Sequence, residues 1–325
     1  MNDKQPAQLR GVDIMKYIMA IGVIVIHVGA VFDGDATFPD AVVWWMRSAV
    51  PYFFIVSGYL FARRNQGWGS TSFYREKAQH VYRIFGCWLL VYIPIAIITY
   101  WEQDYTVAQA IKSYVVGIFT YGQCPGAPLW YLYALGGFMV TMYLACRFNI
   151  PKLYIVGWFI LIYLIDYCVS EGIIGTEQLG IKWFYLLTRR FFGGGIYILS
   201  GMAIYYWRSY SVRPINMLIT ATVSIVCFYF NTPFWELMSG ATFFILALNI
   251  MLPENRVWLY LRHQSMWIYY THMLSIFIIV QYAIYSDTTL TVGGTLITAI
   301  LITLIITNLT VMLKRRFPAI GYLIS

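Results

Sequence analysis

Charge is scarce in this chain: 11% of its 325 residues are Asp, Glu, Lys or Arg, while 60% are hydrophobic and the mean hydropathy is +0.65. A soluble globular domain carries about 25% charged residues, so that class is excluded. Sequence patterns of common soluble chemistries are missing too. There is no HExxH, GxSxG or GxGxxG, which argues against proteolysis, hydride transfer and nucleotide hydrolysis. No acidic pair falls within one apolar stretch, as a proton-coupled pump would need. No fixed-period repeat and no inverted pair of Gly/Pro-broken stretches marks a secondary transporter. The five cysteines, Cys87, Cys124, Cys146, Cys168 and Cys227, lack metal-ligand spacing and read as packing residues. Cys124 and Cys168 fall near one face, which leaves a disulfide between them open in an oxidising compartment. The opening segment lacks the short apolar core and small-residue cleavage site of a removable signal, so the first span is expected to stay.

What the chain has instead is apolar length. Ten stretches long enough to cross a bilayer recur, at roughly 14–32, 42–61, 83–100, 128–146, 151–168, 184–206, 214–230, 235–252, 266–285 and 293–313. The expected fold is all-α, a polytopic membrane helix bundle of about ten transmembrane helices forming one domain over residues 1–325. Connectors 62–82 and 101–127 are the longest, and neither reads as a folded soluble domain. The net charge of +8 does not point to nucleic acid, because the basic residues alternate loop by loop. With the N-terminus inside, 17 of the 22 basic residues fall on the cytoplasmic side, from Lys4 to Arg316, leaving Arg47, Lys112, Lys182, Arg189 and Arg190 toward the outside. The positive-inside rule then places both termini in the cytoplasm. Trp44, Trp45, Trp101, Trp130, Trp183, Trp207, Trp235 and Trp258 fall near span ends, where indoles anchor in the headgroup region.

The residues that break this apolar background are candidates for chemistry. Asp13, Lys16 and His27 lie on the first span, and the eleven residues from Lys16 to His27 return a helix to within about 20° of one face, about 16 Å apart along the axis. An ionisable group inside a span marks a functional site by default, and a neutral imidazole can take a proton from a hydroxyl. Arg47 sits one turn into the second span and needs a partner or a wet cavity. Arg189 and Arg190 pose the same question before Gly193-Gly194-Gly195, where three glycines permit a bend or close helix approach. His272 in Ile268-Tyr269-Tyr270-Thr271-His272 is a second intramembrane histidine, suited to interhelical bonding or to function. Arg75, Lys77 and Arg83 project from a basic helix, capped by Ser72, that runs into the third span. Such a helix serves topology and anionic lipid, or a phosphate-rich ligand.

Together these residues resemble the acyltransferase family 3 of integral-membrane bacterial O-acyltransferases. The spacing Asp13, Lys16, His27 is similar to the family's first helix, with lysine where arginine is usual, which keeps the charge but not the planar fork. Arg47 followed by Val50-Pro51-Tyr52-Phe53-Phe54-Ile55-Val56-Ser57-Gly58-Tyr59 resembles its second-helix motif. Residues 75–83 resemble its cytoplasmic segment of paired arginines, here His80 and Arg83, and Leu129-Trp130-Tyr131-Leu132 and Tyr269-Tyr270-Thr271-His272 resemble its later elements.

The resemblance implies a bacterial inner-membrane, multi-pass enzyme with no permanently bound cofactor or metal. Its co-substrate is acyl-CoA on the cytoplasmic side, with acetyl-CoA the commonest and succinyl open, and its acceptor is a hydroxyl of an envelope or exopolysaccharide carbohydrate. His27 is expected to act as general base or to carry the acyl group itself, with Asp13 and Lys16 on the same helix. Arg47 or Arg189 would stabilise the oxyanion, a contribution of about 3 kcal/mol per donor. Arg75, Lys77 and Arg83 would hold the CoA phosphates, and Trp130, Tyr131 and His272 would contact substrate. Two other readings use the same residues: a transporter of a polysaccharide precursor or small polar solute, which has no need of a CoA site, and a membrane scaffold. The oligomeric state is open.

Overall fold

The computed structural model describes residues 9–317 apart from 66, 126–127, 176–181, 209–212 and 254. Lys4 and both termini, on which the orientation expectation partly rests, lie outside the described residues. Among the described residues, fourteen α-helices and a short 3-10 turn at Gly34–Thr37 account for the elements, with no strand. They are α1 Arg10–Gly29, α2 Asp40–Arg47, α3 Ala49–Asn65, α4 Thr71–Val91, α5 Ile93–Glu102, α6 Val107–Tyr121, α7 Trp130–Arg147, α8 Lys152–Ser170, α9 Lys182–Phe192, α10 Gly195–Tyr206, α11 Pro214–Tyr229, α12 Trp235–Asn249, α13 Arg256–Ser286 and α14 Val292–Arg316.

Three of the expected spans are broken helices. The stretch 42–61 divides at Ser48 into α2 and α3, one turn before Pro51, whose ring excludes the Arg47 carbonyl from the helical ladder. The stretch 83–100 bends by 48° between α4 and α5, with Pro94 in the first turn after the break. The stretch 184–206 stops at Phe192 and restarts at Gly195. The glycine triplet serves both expected purposes, since Cβ atoms on Gly194 and Gly195 would strike the rings of Phe54 and Phe159. Connector 101–127 contains α6, started by the capping box of Thr106 and Gln109 and ended by Gly122 at φ 64°. The cap of α4 is Ser70 rather than Ser72: Ser70 has the extended backbone of an N-cap and accepts from Phe73 N–H at 3.3 Å, whereas Ser72 already lies inside the first turn.

α1 is the inner helix of the bundle, packed against α3, α12, α13 and α14. α3 also packs along α10, where Gly58 faces the carbonyl of Ile198 and Gly201 faces that of Ile55, so that each backbone occupies the space of the other's missing side chain. α14 shows the solvent for which the fold is built. Ile297, Leu301, Ile305 and Leu309 form an exposed apolar stripe, while Thr295, Thr303 and Thr307 are buried on another face. Two of the buried threonines bond to α13, Thr303 donating to Ser275 at 2.9 Å and Thr307 pairing with Thr271 at 3.1 Å. Apolar outside and polar between helices is the pattern of a helix in lipid. Four described helices, α1, α8 and the greater part of α13 and α14, are long and apolar enough to cross a membrane, and a fifth is the bent pair α4 and α5.

Candidate active site

His27 sits two residues before the end of α1, half-buried, and lines three cavities. One, of about 310 Å³, runs along the α1 face that also carries Lys16, so the two residues related by eleven positions do share a wall. Tyr131, Tyr269, Phe53 and Leu60 supply much of the rest of that wall, and Arg262 joins Lys16 as a second cation. Asp13, itself buried, lies 3.9 Å from both the Lys16 ammonium and the Arg262 guanidinium. That separation is an ion pair without a hydrogen bond, so Asp13 holds both cations at its edge without saturating them.

The second cavity, of about 640 Å³, opens on the other side of His27 and is far more polar. Arg47 ends α2 there, its Nε donating to Asp35 at 3.0 Å and its terminal nitrogen 2.8 Å from the same carboxylate. The partner that an arginine in a span requires is thus supplied by the 3-10 turn after α1. Arg189 pairs with Asp166 of α8 at 2.8 Å, and Tyr185 donates to the same oxygen at 2.6 Å. Arg190 lies over the Trp130 ring at 4.7 Å. Glu236, at the start of α12, accepts from Tyr197 at 3.2 Å. Val23, His27, Val50 and Trp130 line both cavities, so the partition between them is one layer of side chains thick.

Tyr131 is fixed on the inner side of that partition by a 2.9 Å bond to Ser57, and Tyr269 by donation to the Pro128 carbonyl at 2.7 Å. The third cavity, of about 430 Å³, extends from His27 past Tyr100, Ser113, Tyr121 and Gln123. His272 is fully buried on α13, with its ring centroid 5.0 Å from that of His27.

The structure therefore gathers Lys16, His27, Arg47, Trp130, Tyr131 and Arg189 around adjoining cavities that share the His27 wall, with Asp13 beside Lys16 and His272 beside His27. Arg75, Lys77 and Arg83 line none of the three. Arg75 is exposed, Lys77 is half-buried with its ammonium 6.0 Å from the Phe73 ring, and Arg83 lies 2.9 Å from Nδ1 of His80 and donates to it. All five cysteines are unpaired, Cys124 and Cys168 included. Among the described residues no cluster of His, Cys, Asp and Glu could hold a metal.

Several wall residues went unrecognised in the sequence: Arg262, Asp35, Asp166 and Glu236. Their signal is present but dispersed. Asp166 and Glu236 are lone acids near the ends of different apolar stretches, and only the fold sets them beside arginines from elsewhere in the chain.

No curated protein and no solved structure matches the chain. A family model described as an acyltransferase domain does, over residues 9–309, a match that takes in every candidate residue above. An all-helical, apolar chain with a histidine where cavities meet, covered nearly end to end by that model, belongs to the acyltransferase family 3 and is an acyltransferase that transfers groups other than aminoacyl groups.

Proposed function

We propose that the protein moves an acyl group, acetyl in the simplest case, from cytoplasmic acyl-CoA to a hydroxyl of a cell-envelope carbohydrate, with His27 as the general base. The carrying observation is that His27 lines both the narrow cavity of Lys16 and Arg262 and the wide cavity of Arg47, Arg189 and Glu236. A transferase that accepts its two substrates from opposite sides of a membrane needs one reacting group open to both.

In this reading the inner cavity takes the pantetheine arm. Its aromatic and aliphatic wall suits a thin, largely uncharged chain, and Lys16 and Arg262 meet the charged end of the donor. Arg75, Lys77 and Arg83 hold the more distant CoA phosphates on the surface of α4. The outer cavity takes the sugar, whose hydroxyls pair with carboxylates and guanidiniums already held in place. His27 removes the proton of the acceptor hydroxyl as its oxygen attacks the thioester carbonyl. Arg47 or Arg189 stabilises the resulting oxyanion, the C–S bond breaks, and His27 returns the proton to the departing CoA thiolate. A two-step route in which His27 itself takes the acyl group uses the same contacts. The matching orientation is an inner-membrane, multi-pass bundle of about ten spans with the Lys16 end of α1 toward the cytoplasm.

The test is transfer of label from radiolabelled acetyl-CoA into envelope carbohydrate by membranes containing the wild-type chain or His27→Ala at matched abundance. Label lost with His27 supports the reading. Equal incorporation removes His27 as base, and no incorporation from any acyl-CoA rejects the donor assignment.

A further inference from the structure

His272 carries a buried atom with no use in the scheme above. Its ring is fully buried on α13, and its Nδ1–H donates to the Ile268 carbonyl one turn back at 3.0 Å. A nitrogen that donates to a carbonyl carries the proton, so the other nitrogen, Nε2, is left with a lone pair. That Nε2 is buried and has no hydrogen-bond partner. An orphaned acceptor in a protein interior costs about 1–3 kcal/mol, so its retention calls for an explanation.

The neighbouring ring is His27, 5.0 Å away between centroids with the planes 40° apart. An N–H···N bond of roughly 3 Å between two five-membered rings places their centroids roughly 5 Å apart, which is the separation at which the half-buried His27 ring stands. The fully buried His272 ring is tied to its own helix. It is the fixed member of the pair.

We infer that His272 is a positioning residue for the acyl-transfer reaction: its Nε2 accepts the N–H of His27, fixing which nitrogen of His27 keeps its proton and which presents a lone pair to the cavities. The inference rests on His27 as the base. The arrangement follows the general design in which a catalytic base is oriented by a third group. It differs from the common carboxylate version in placing no additional negative charge in the membrane. The charged groups that share cavities with His27 are Lys16 and Arg262 on one side, and Arg47, Arg189, Arg190 and the carboxylates Asp35, Asp166, Glu171 and Glu236 on the other. Glu236 is the rival acceptor for the same N–H, and its carboxylate is already bonded to Tyr197.

The experiment uses ring-labelled ¹⁵N-histidine in the full chain reconstituted in nanodiscs. Only four histidines are present, and His80→Gln and His263→Gln assign two of them directly. The expected wild-type spectrum shows one tautomer for His27. His272→Leu should give a mixture of tautomers and lower kcat roughly 10- to 100-fold with both KM values unchanged, as for loss of an outer partner of a functional histidine. His272→Gln, whose side-chain oxygen can accept the same N–H, should restore one tautomer and most of kcat. Glu236→Gln should leave the tautomer as it is. If the leucine variant does not accumulate, His272→Met removes the same acceptor. A single His27 tautomer persisting in the leucine or methionine variant overturns the inference, as does equal loss of kcat in the leucine and glutamine variants. The tautomer spectrum needs no turnover, so it decides the inference even if acyl transfer from CoA is itself disproved.

Discussion

The two cavities on either side of Trp130 treat charge in opposite ways. In the wide one, the Arg47 and Arg189 guanidiniums lie 2.8 Å from carboxylates contributed by other elements, Asp35 and Asp166, and Arg190 rests on an indole. In the narrow one, Lys16 and Arg262 share a single carboxylate, Asp13, at 3.9 Å each. The first arrangement is committed: carboxylates from other elements hold its guanidiniums in place, so its groups are preorganised to bond hydroxyls. The second is uncommitted, with two cations and one loosely held acid, and suits a ligand that brings phosphate. One bundle thus supplies two surfaces of different character to a single imidazole, and the contrast supports the assignment of sugar to one and CoA to the other.

Both cavities depend most on the residue they share. His27→Ala should lower acyl transfer about 100-fold or more, the usual contribution of a general base, measured as label incorporated per amount of chain. Next comes the scaffold common to both cavities. Gly58→Val places a methyl-bearing Cβ against the Ile198 carbonyl and should destabilise the α3–α10 contact by about 1–3 kcal/mol, read as a lower thermal aggregation temperature in detergent with activity toward both substrates falling together.

The sides then separate. Arg262→Ala should raise the KM for acetyl-CoA about tenfold, equivalent to about 1.4 kcal/mol, leaving the acceptor KM unchanged. It should have no effect on acetyl-pantetheine, which lacks the phosphates. Arg47→Lys keeps the charge but loses the two-point contact with Asp35, and should raise the acceptor KM several-fold with the acetyl-CoA KM unaffected. An increase in the wrong KM for either variant would reverse the assignment of the cavities. The smallest effect belongs to Arg75→Ala on the exposed side of α4: about a two- to threefold rise in the KM for acetyl-CoA that disappears at high salt.

Much of this architecture was legible because lipid imposes simple rules. Long apolar stretches had to be helices, and the eleven-residue interval from Lys16 to His27 had to repeat one face, the face along which the narrow cavity runs. Arg47 in an apolar stretch announced a partner without naming it. Helix interruptions were less legible: hydropathy does not distinguish one long span from α2 and α3 broken at Ser48, although Pro51 gave the reason. The capping box that starts α6 is written in Thr106 and Gln109, within a connector whose composition shows only that it is no folded soluble domain.

Composition and period alone make the chain helical and strongly apolar and put Asp13, Lys16 and His27 on one face of α1, because periodicity and the rarity of ionisable groups in apolar segments are local properties. Which distant charges complete the walls is set by the packing of the helices. Asp35 meets Arg47, Asp166 meets Arg189, Arg262 joins Lys16, and His272 meets His27, the last two pairs spanning more than two hundred residues of chain. These meetings depend on how close the helices pack, as at Gly58 and Gly201, and on where α2, α4 and α9 break, and neither property is encoded in the composition or period of any single segment.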